Sequence, residues 1–250
     1  MRKLKLVLEY DGTRYHGWQV QPNGVSIQEV LQDTIERITK QKTCVIGSGR
    51  TDAGVHAEGQ VAHFSTESSM TERQFLKALN SLLPRDIVVR RVREAPPDFD
   101  ARRSAVGKKY RYTILNRDYP SAFAYSRSWY VPFSLDVDAM RGAARHLVGR
   151  HDFSAFRAGN CEARSPVREI LSLDIRREAG AFIVLEFEGN GFLKYMVRNI
   201  VGSLVEVGKG RMVPERIREI LESRDRAKAG PTAQPQGLCL VEVFYEQEEI

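Results

Sequence analysis

Residues 47–57 read Gly-Ser-Gly-Arg-Thr-Asp-Ala-Gly-Val-His-Ala and carry the side chains best suited to chemistry. Asp52 follows Arg50 by two residues, and an isolated aspartate, with a pKa of about 3.9, is ionised at neutral pH. A guanidinium alongside keeps it ionised. An ionised carboxylate can act as a nucleophile or accept a proton without a separate base, and flanking glycines let a bulky ligand approach closely. The alternative is an ordinary Asx turn with a surface Arg–Asp pair.

The same segment does not match other glycine-rich motifs. A Walker A loop needs Lys-Ser or Lys-Thr after its last glycine, and Ser48 lacks the G-x-S-x-G frame of a hydrolase elbow. His56 and His63 have no companions at metal-ligand spacing, and the three cysteines form no C-x-x-C pair. We therefore expect no metal site, and structural roles for both histidines, with His56 supporting the loop backbone.

Basic charge is concentrated between Arg85 and Arg111. This window holds nine Lys or Arg against four Asp or Glu, a net charge of +5. Such a cluster suits a polyanion, although a solvated basic face is the simpler alternative. Aromatic residues favour RNA, because basic grooves with aromatic platforms hold looped or single-stranded RNA. The aromatic residues in or just after the window are Tyr110, Tyr112, Tyr119, Phe123, Tyr125, Trp129 and Tyr130.

The first hundred residues predict the elements that must position the Asp52 loop. Alternation and amphipathic spacing identify strands and helices, and Ser/Thr followed three residues later by Glu/Gln marks a helix start. The expected elements are a strand at 3–10, a helix after the capping box that begins at Ser26, a loop at 47–59, a strand at 61–65, a helix after the capping box that begins at Thr71, and a strand at 87–92. Residues 95–98, Ala-Pro-Pro-Asp, read as the connection to a second half.

The remaining residues repeat this mixture. They predict extended segments at 110–115 and 128–131, a helix at 136–148, hairpin strands at 169–175 and 181–187, an apolar helical stripe from Leu193 to Val205 ended by Gly208, a short helix after Pro214, and a last strand at 238–245. We expect an α+β fold with two RRM-like (ferredoxin-like) halves, residues 1–100 and 101–250. An antiparallel mixed sheet would form a central RNA-binding cleft.

Composition agrees with a folded, soluble protein. The chain has 250 residues, a formal charge of +6, 42% hydrophobic and 28% charged residues, which fits one large domain or two medium ones. It has no apolar run of the roughly 20 residues that a membrane span needs, and no apolar signal core near the N-terminus. With three widely spaced cysteines, we expect a reduced, cytoplasmic protein.

Several segments together resemble one enzyme family. Residues 49–57, Gly-Arg-Thr-Asp-Ala-Gly-Val-His-Ala, look like the active-site signature of the TruA-type tRNA pseudouridine synthases. Further similar segments follow in the family's order over nearly the whole chain: residues 10–19, 108–112 (Lys-Lys-Tyr-Arg-Tyr), 151–156, 191–202 and 232–238. The resemblance implies isomerisation of uridine to pseudouridine at positions 38, 39 and 40 of the tRNA anticodon stem-loop. It also implies a homodimer and no cofactor.

The resemblance assigns roles to particular residues. Asp52 matches the catalytic aspartate, and whether it attacks C1′, adds to uracil C6 or removes the 2′ proton stays open. Tyr110 matches a substrate-contacting tyrosine, with core packing as its alternative. Arg50 would fill the gap left by the displaced nucleotide, and Arg198 would pair with Asp52, with snorkelling at the helix rim as its alternative. Candidate phosphate contacts are Lys108, Lys109, Arg111, Arg102 and Arg103.

Two other functions fit the same residues. A non-catalytic RNA-binding protein would use the basic surface alone. A carboxylate enzyme that hydrolyses an N-glycosidic bond would release free uracil, but glycosidases usually need two carboxylates flanking the bond. Residues 47–57 supply only Asp52, with Glu58 next to them. The sequence therefore favours the isomerase.

Overall fold

The structure is a computed structural model that describes residues 1–246. It has two compact units, one of Met1–Val106 with the described residues from Cys239 onward, the other of Gly107–Leu238. Both contain helices and mostly antiparallel strand pairs, which confirms the α+β class. The strands are β1 (Arg2–Tyr10), β2 (Ile46–Gly47), β3 (His56–Thr66), β4 (Ile87–Ala95), β5 (Ala105–Asn116), β6 (Trp129–Val131), β7 (Gly149–Asp152), β8 (Val167–Glu178), β9 (Phe182–Gly189) and β10 (Leu238–Tyr245). The α-helices are α1 (Ile27–Thr39), α2 (Glu72–Leu82), α3 (Val137–Ala144), α4 (Met196–Gly208) and α5 (Arg216–Ser223).

The first unit is a sheet with strand order β4-β1-β3-β10. β1 is antiparallel to both β3 and β4, β2 pairs with β3, and β10 lies parallel to β3. Alternate residues of β1 from Leu4 to Tyr10 are buried, and Leu4, Leu6 and Leu8 are fully so, as a strand with one core face requires. Both predicted capping boxes are present, at the starts of α1 and α2.

β3 differs from its prediction. Residues 47–59 were expected to be a loop and residues 61–65 a short strand, but the strand runs from His56 to Thr66. β1 pairs along most of it, and β10 adds the pair Cys239–His56. A Cβ at Gly59 would collide with the carbonyl oxygen of Val241 on β10. The glycine therefore admits a neighbouring backbone within a strand rather than marking a loop.

The second unit contains the strand order β5-β9-β8-β7, with β6 parallel to β5. The apolar stripe was expected to be helical from Leu193, but α4 starts at Met196 because Tyr195 has left-handed backbone angles of φ 64° and ψ 0°. The helix predicted at 136–148 is α3 followed by a 3₁₀ turn. β7 was not predicted.

β10 returns to the first unit. The sequence grouped it with residues 101–250, whereas its pairing with β3 places it in the sheet that carries β1 and β4. No helix within residues 1–246 is both long and apolar enough to cross a membrane.

Candidate active site

The Asp52 loop joins β2 to β3 in the first unit. Thr51 is 6% exposed, whereas Asp52 is half-buried and Arg50 is exposed. The buried Thr51 therefore anchors the loop, while Asp52 stays accessible to solvent. The loop thus holds the Asp52 carboxylate at a defined place where a substrate can still reach it.

Two core side chains hold the first part of the loop. The hydroxyl groups of Tyr10 and Thr51 share a hydrogen bond of 2.8 Å. Gln60, which is fully buried on β3, donates from Nε2 to the carbonyl oxygen of Gly49 at 3.0 Å and accepts from Ser48 Oγ at 2.7 Å. Burial raises the pKa of the Tyr10 phenol above its ordinary value, so this hydroxyl stays neutral.

Residues 12–18 hold the loop from another side. The amide of Trp18 donates to the carbonyl of Thr51 at 3.1 Å, and that of Gly54 donates to the carbonyl of Tyr15 at 3.3 Å. Gly17 has a φ of +85°, and a Cβ on it would lie 2.5 Å from the carbonyl oxygen of Thr51. Within the loop, the amide of Val55 donates to the carbonyl of Asp52 at 3.1 Å.

The ring of His56 supports the backbone at Gly12 rather than that of its own loop, which the sequence predicted it to support. Its Nδ1 accepts a hydrogen bond from the amide of Gly12 at 3.1 Å. The same atom is 3.3 Å from a carboxylate oxygen of Asp11, but a nitrogen that accepts an N–H carries no proton to share with a carboxylate. We therefore assign the His56 ring to backbone support.

The predicted RNA-contacting residues of the second unit lie on β5. Tyr110 is 8% exposed, and its ring meets Phe192 edge-on at a centroid distance of 5.2 Å. Lys109 Nζ is 3.5 Å from Glu186, which also contacts Arg176 at 3.0 Å. Lys108 and Arg111 are half-buried on the same strand.

Arg198 lies in the first turn of α4. Its Nε donates to the carbonyl oxygen of Ala233 at 2.8 Å, and its guanidinium carbon is 4.9 Å from the ring centroid of Tyr195. The amide of Ala233 donates in return to the carbonyl of Arg198 at 3.1 Å. These contacts lie within the second unit, and the pairing of Arg198 with Asp52 stays a prediction.

The aromatic residues near the basic window separate by burial. Tyr110 and Tyr112 are core residues, and the Tyr112 hydroxyl donates to the carbonyl of Gln234 at 2.6 Å. Tyr119, Phe123 and Tyr125 are 59%, 99% and 72% exposed. This second group has the exposure that stacking on the bases of a looped RNA requires.

Sequence reasoning missed Gln60 and the glycine contacts. Gln60 lies directly before the apolar residues Val61 and Ala62 in β3, and a polar residue beside such a buried stretch is the signal that could have identified it. Gly17 gave no such signal, because its contact depends on how residues 12–18 pack on the loop. Within residues 1–246, no three His, Cys, Asp or Glu side chains form a group that could hold a metal ion.

Comparison with known proteins identifies close relatives. A family described as tRNA pseudouridine synthase matches residues 6–102 and 143–246. The tRNA pseudouridine synthase A of Myxococcus xanthus is 53% identical over 98% of this chain and 92% of its own length. That of Exiguobacterium sibiricum is 49% identical over 100% of this chain and 99% of its own length. Among solved structures, a Cbf5-Nop10-Gar1 complex matches at 12% identity over 99% of this chain and 60% of that chain, with a TM-score of 0.38, too low to support an argument about fold.

Proposed function

The chain belongs to the tRNA pseudouridine synthase family, and on that premise we propose that it isomerises uridine to pseudouridine in tRNA. The targets we propose are positions 38, 39 and 40 in the anticodon stem-loop. The observation that carries the assignment is Asp52, a half-buried carboxylate on a loop whose backbone is held at Thr51 and Gly54.

The reaction needs only groups that this chain can provide. The N1–C1′ bond breaks, the uracil turns, and a C5–C1′ bond forms. The C5 proton leaves and N1 gains a proton, so atoms balance and no redox partner or transferred group is involved. Asp52 is the proposed catalytic nucleophile, and its attack on C1′, its addition to C6 or its removal of the 2′ proton are the routes open to it.

Other side chains assist this step in our proposal. Tyr110 stacks on the uracil and helps to remove the C5 proton. Arg50, which is exposed, occupies the place of the extruded nucleotide, whose unstacking costs a few kcal/mol. Arg198 contributes positive charge that favours the ionised form of Asp52. Lys108, Lys109 and Arg111 contact phosphates.

The finer structural expectations belong to the same proposal. The order β4-β1-β3 with α1 and α2 supports an RRM-like, ferredoxin-like first unit. The central RNA-binding cleft, the homodimer and the cytoplasmic location stay predictions from the sequence. Light scattering tests the homodimer, because two chains of 28.4 kDa would give twice that mass.

Replacing one carboxylate by an amide tests the catalytic assignment. Asp52→Asn keeps the side chain's size and removes its charge, so we expect tritium release from tRNA carrying 5-³H-uridine to fall by at least about 10³-fold, of the order seen when a catalytic group is lost. Affinity for tRNA should change little. Asp33→Asn on the exposed surface of α1 is the matched control and should turn over normally.

The outcomes separate the three candidate functions. Near-normal tritium release by Asp52→Asn would refute the role of Asp52. Free uracil among the products would identify a hydrolase. An unaltered tRNA after incubation with the unsubstituted protein would leave only RNA binding. Mapping the pseudouridines would test positions 38–40 separately.

Salt dependence tests the phosphate contacts. Each phosphate contact contributes about 0.7–0.9 to the slope of log K against log salt. Lys108→Ala should therefore make this negative slope less steep by close to 1, whereas Lys77→Ala on the exposed side of α2 should leave it unchanged. An equal slope in both variants would exclude Lys108 as a phosphate contact.

A further inference from the structure

The segment at 229–233 lies directly against α4. A Cβ on Gly202 would collide with the carbonyl oxygen of Pro231, and a Cβ on Gly230 would lie 2.8 Å from the Cα of Ser203. The amide of Gly230 donates to Ser203 Oγ at 2.8 Å. This close fit matters because the segment ends at Ala233, whose carbonyl oxygen accepts from Arg198 Nε.

Asn199 links α4 to the same segment. It is fully buried, and its Nδ2 donates to the carbonyl oxygen of Phe156 at 2.8 Å. Its Oδ1 accepts from Thr232 Oγ1 at 2.6 Å and from Arg226 Nη2 at 3.0 Å. Asn199 follows Arg198 in the chain, and Thr232 precedes Ala233. The bond between Asn199 and Thr232 therefore lies beside the contact that orients Arg198.

Arg226 joins Asn199 of α4 to the segment at 229–233 through several hydrogen bonds. Its Nη2 also donates to Thr232 Oγ1 at 3.1 Å, and its Nη1 donates to the carbonyl oxygens of Gly230 at 3.1 Å and Ala229 at 3.4 Å. All these acceptors are neutral, and burial lowers the pKa of the guanidinium. A planar fork with several donors can bridge such a set of oxygens, whereas the single ammonium of lysine cannot span it.

We infer that Arg226 is a positioning residue, which holds residues 229–232 on α4 through Asn199 and Thr232 and so fixes the carbonyl of Ala233 that orients Arg198. The inference rests on the proposed role of Arg198 in the isomerisation. Arg226 acts through Arg198 and needs no contact with the substrate. Its loss should therefore lower kcat and leave KM for tRNA nearly unchanged, since a displaced group that acts in the reaction affects the chemical step most.

A double-mutant cycle tests this coupling. We expect Arg226→Met to lower kcat by about 10-fold or more and Arg226→Lys to recover only part of that loss. In a chain that already carries Arg198→Met, adding Arg226→Met should change kcat by less than about 3-fold, because the group it positions is absent. The matched control is Arg224→Met, since Arg224 is exposed and pairs with Asp152 at 3.2 Å; its kcat should be unchanged.

Thr232→Val provides a second variant of nearly the same shape. It removes the hydroxyl that joins Asn199 to Arg226 and should lower kcat in the same non-additive way, even if Arg226→Met does not fold. Turnover is measured where circular dichroism shows each variant to be folded. A folded Arg226→Met or Thr232→Val with normal kcat, or with a loss that multiplies fully with that of Arg198→Met, would overturn the inference. Full activity of Arg198→Met alone would instead refute the proposed role of Arg198, while the Asp52 assignment would still stand on its own test.

Discussion

Gly17→Ala perturbs the backbone of the Asp52 loop without removing any side chain that is proposed to react. Gly17 has a φ of +85°, and an added Cβ would lie 2.5 Å from the carbonyl oxygen of Thr51 and 3.0 Å from the carbonyl carbon of Asp52. The substitution adds one methyl group to residues 12–18 and pushes on the backbone next to the carboxylate.

The expected size of the effect comes from two separate costs. A left-handed conformation costs a residue with a Cβ about 1–2 kcal/mol. Ordinary contact begins at 3.4 Å, so the new carbon and the Thr51 oxygen must separate by about 0.9 Å, the difference between 3.4 and 2.5 Å. Overpacking of this kind costs about 1–3 kcal/mol, and a displacement near 1 Å at a reacting group costs about 100-fold in rate. We expect the free energy of unfolding to fall by about 2–5 kcal/mol and kcat to fall about 100-fold.

The assay compares two glycines that share a backbone conformation and differ in surroundings. Gly210 has a φ of +69° with no heavy atom within 4 Å of its added Cβ. Gly210→Ala should therefore lose about 1–2 kcal/mol of stability and keep normal turnover. Both variants are assayed by tritium release at a temperature where circular dichroism shows them to be folded. Equal kcat values for the two variants would refute the argument that residues 12–18 position Asp52.

Three further predictions concern Tyr10 and Gln60, which hold the Asp52 loop, and Glu186, which contacts Lys109 on β5. Because burial raises the pKa of Tyr10 in the folded state, the free energy of unfolding should be constant below about pH 10 and fall as the pH rises above it. Tyr10→Phe should make this alkaline loss smaller, as measured by urea midpoints from pH 9 to 11. An unchanged slope would contradict the burial of the phenol. Gln60→Leu should lower both the free energy of unfolding, by about 1–3 kcal/mol, and kcat, because the carbonyl of Gly49 loses the hydrogen bond from Gln60. Chemical denaturation measures the first effect and tritium release the second. Normal values of both would count against the contact. The hydrogen bond from Arg176 is the main cause that lowers the pKa of Glu186 below its ordinary 4.5. The contribution of this pair to the free energy of unfolding, up to about 1 kcal/mol, should be present above pH 4.5 and disappear as the pH falls. Glu186→Gln should therefore reduce the loss of stability between pH 5 and 3, and a loss as steep as that of the unsubstituted chain would exclude this pair.

Local signals were enough to predict most helices of the chain. The starts of α1 and α2 follow from Ser26 with Glu29 and from Thr71 with Gln74, and each capping box is closed by hydrogen bonds within four residues. The apolar alternation of β1 was equally sufficient. Such elements are predictable because the contacts that define their ends or faces lie within the same short segment.

Contacts between distant segments were not predictable in this way. His56–Gln60 became part of β3 because β1 and β10 supply the pairing, while the glycine at position 59 gave a loop signal locally. The left-handed backbone of Tyr195 delays the start of α4 to Met196, three residues after the start that the apolar stripe predicts, and a tyrosine gives no warning of this conformation. The proposed role of Asp52 comes from its resemblance to a family signature, whereas the contacts of Gln60 and Arg226 could not be predicted, since their partners lie on other segments.

The Asp52 loop and Arg198 share one physical device, which is a backbone carbonyl held by a close-packed glycine neighbour. In the first unit, Gly17 lets residues 12–18 approach the carbonyl of Thr51. In the second unit, Gly202 lets residues 229–233 approach α4 and so sets the carbonyl of Ala233. A side chain oriented by packed backbone has few alternative positions, and a group fixed before the substrate arrives loses little freedom in the reaction. The two charges proposed to act in the isomerisation therefore lie beside closely packed backbone in their units, and we expect the loss of such a glycine to lower kcat through the side chain that it positions.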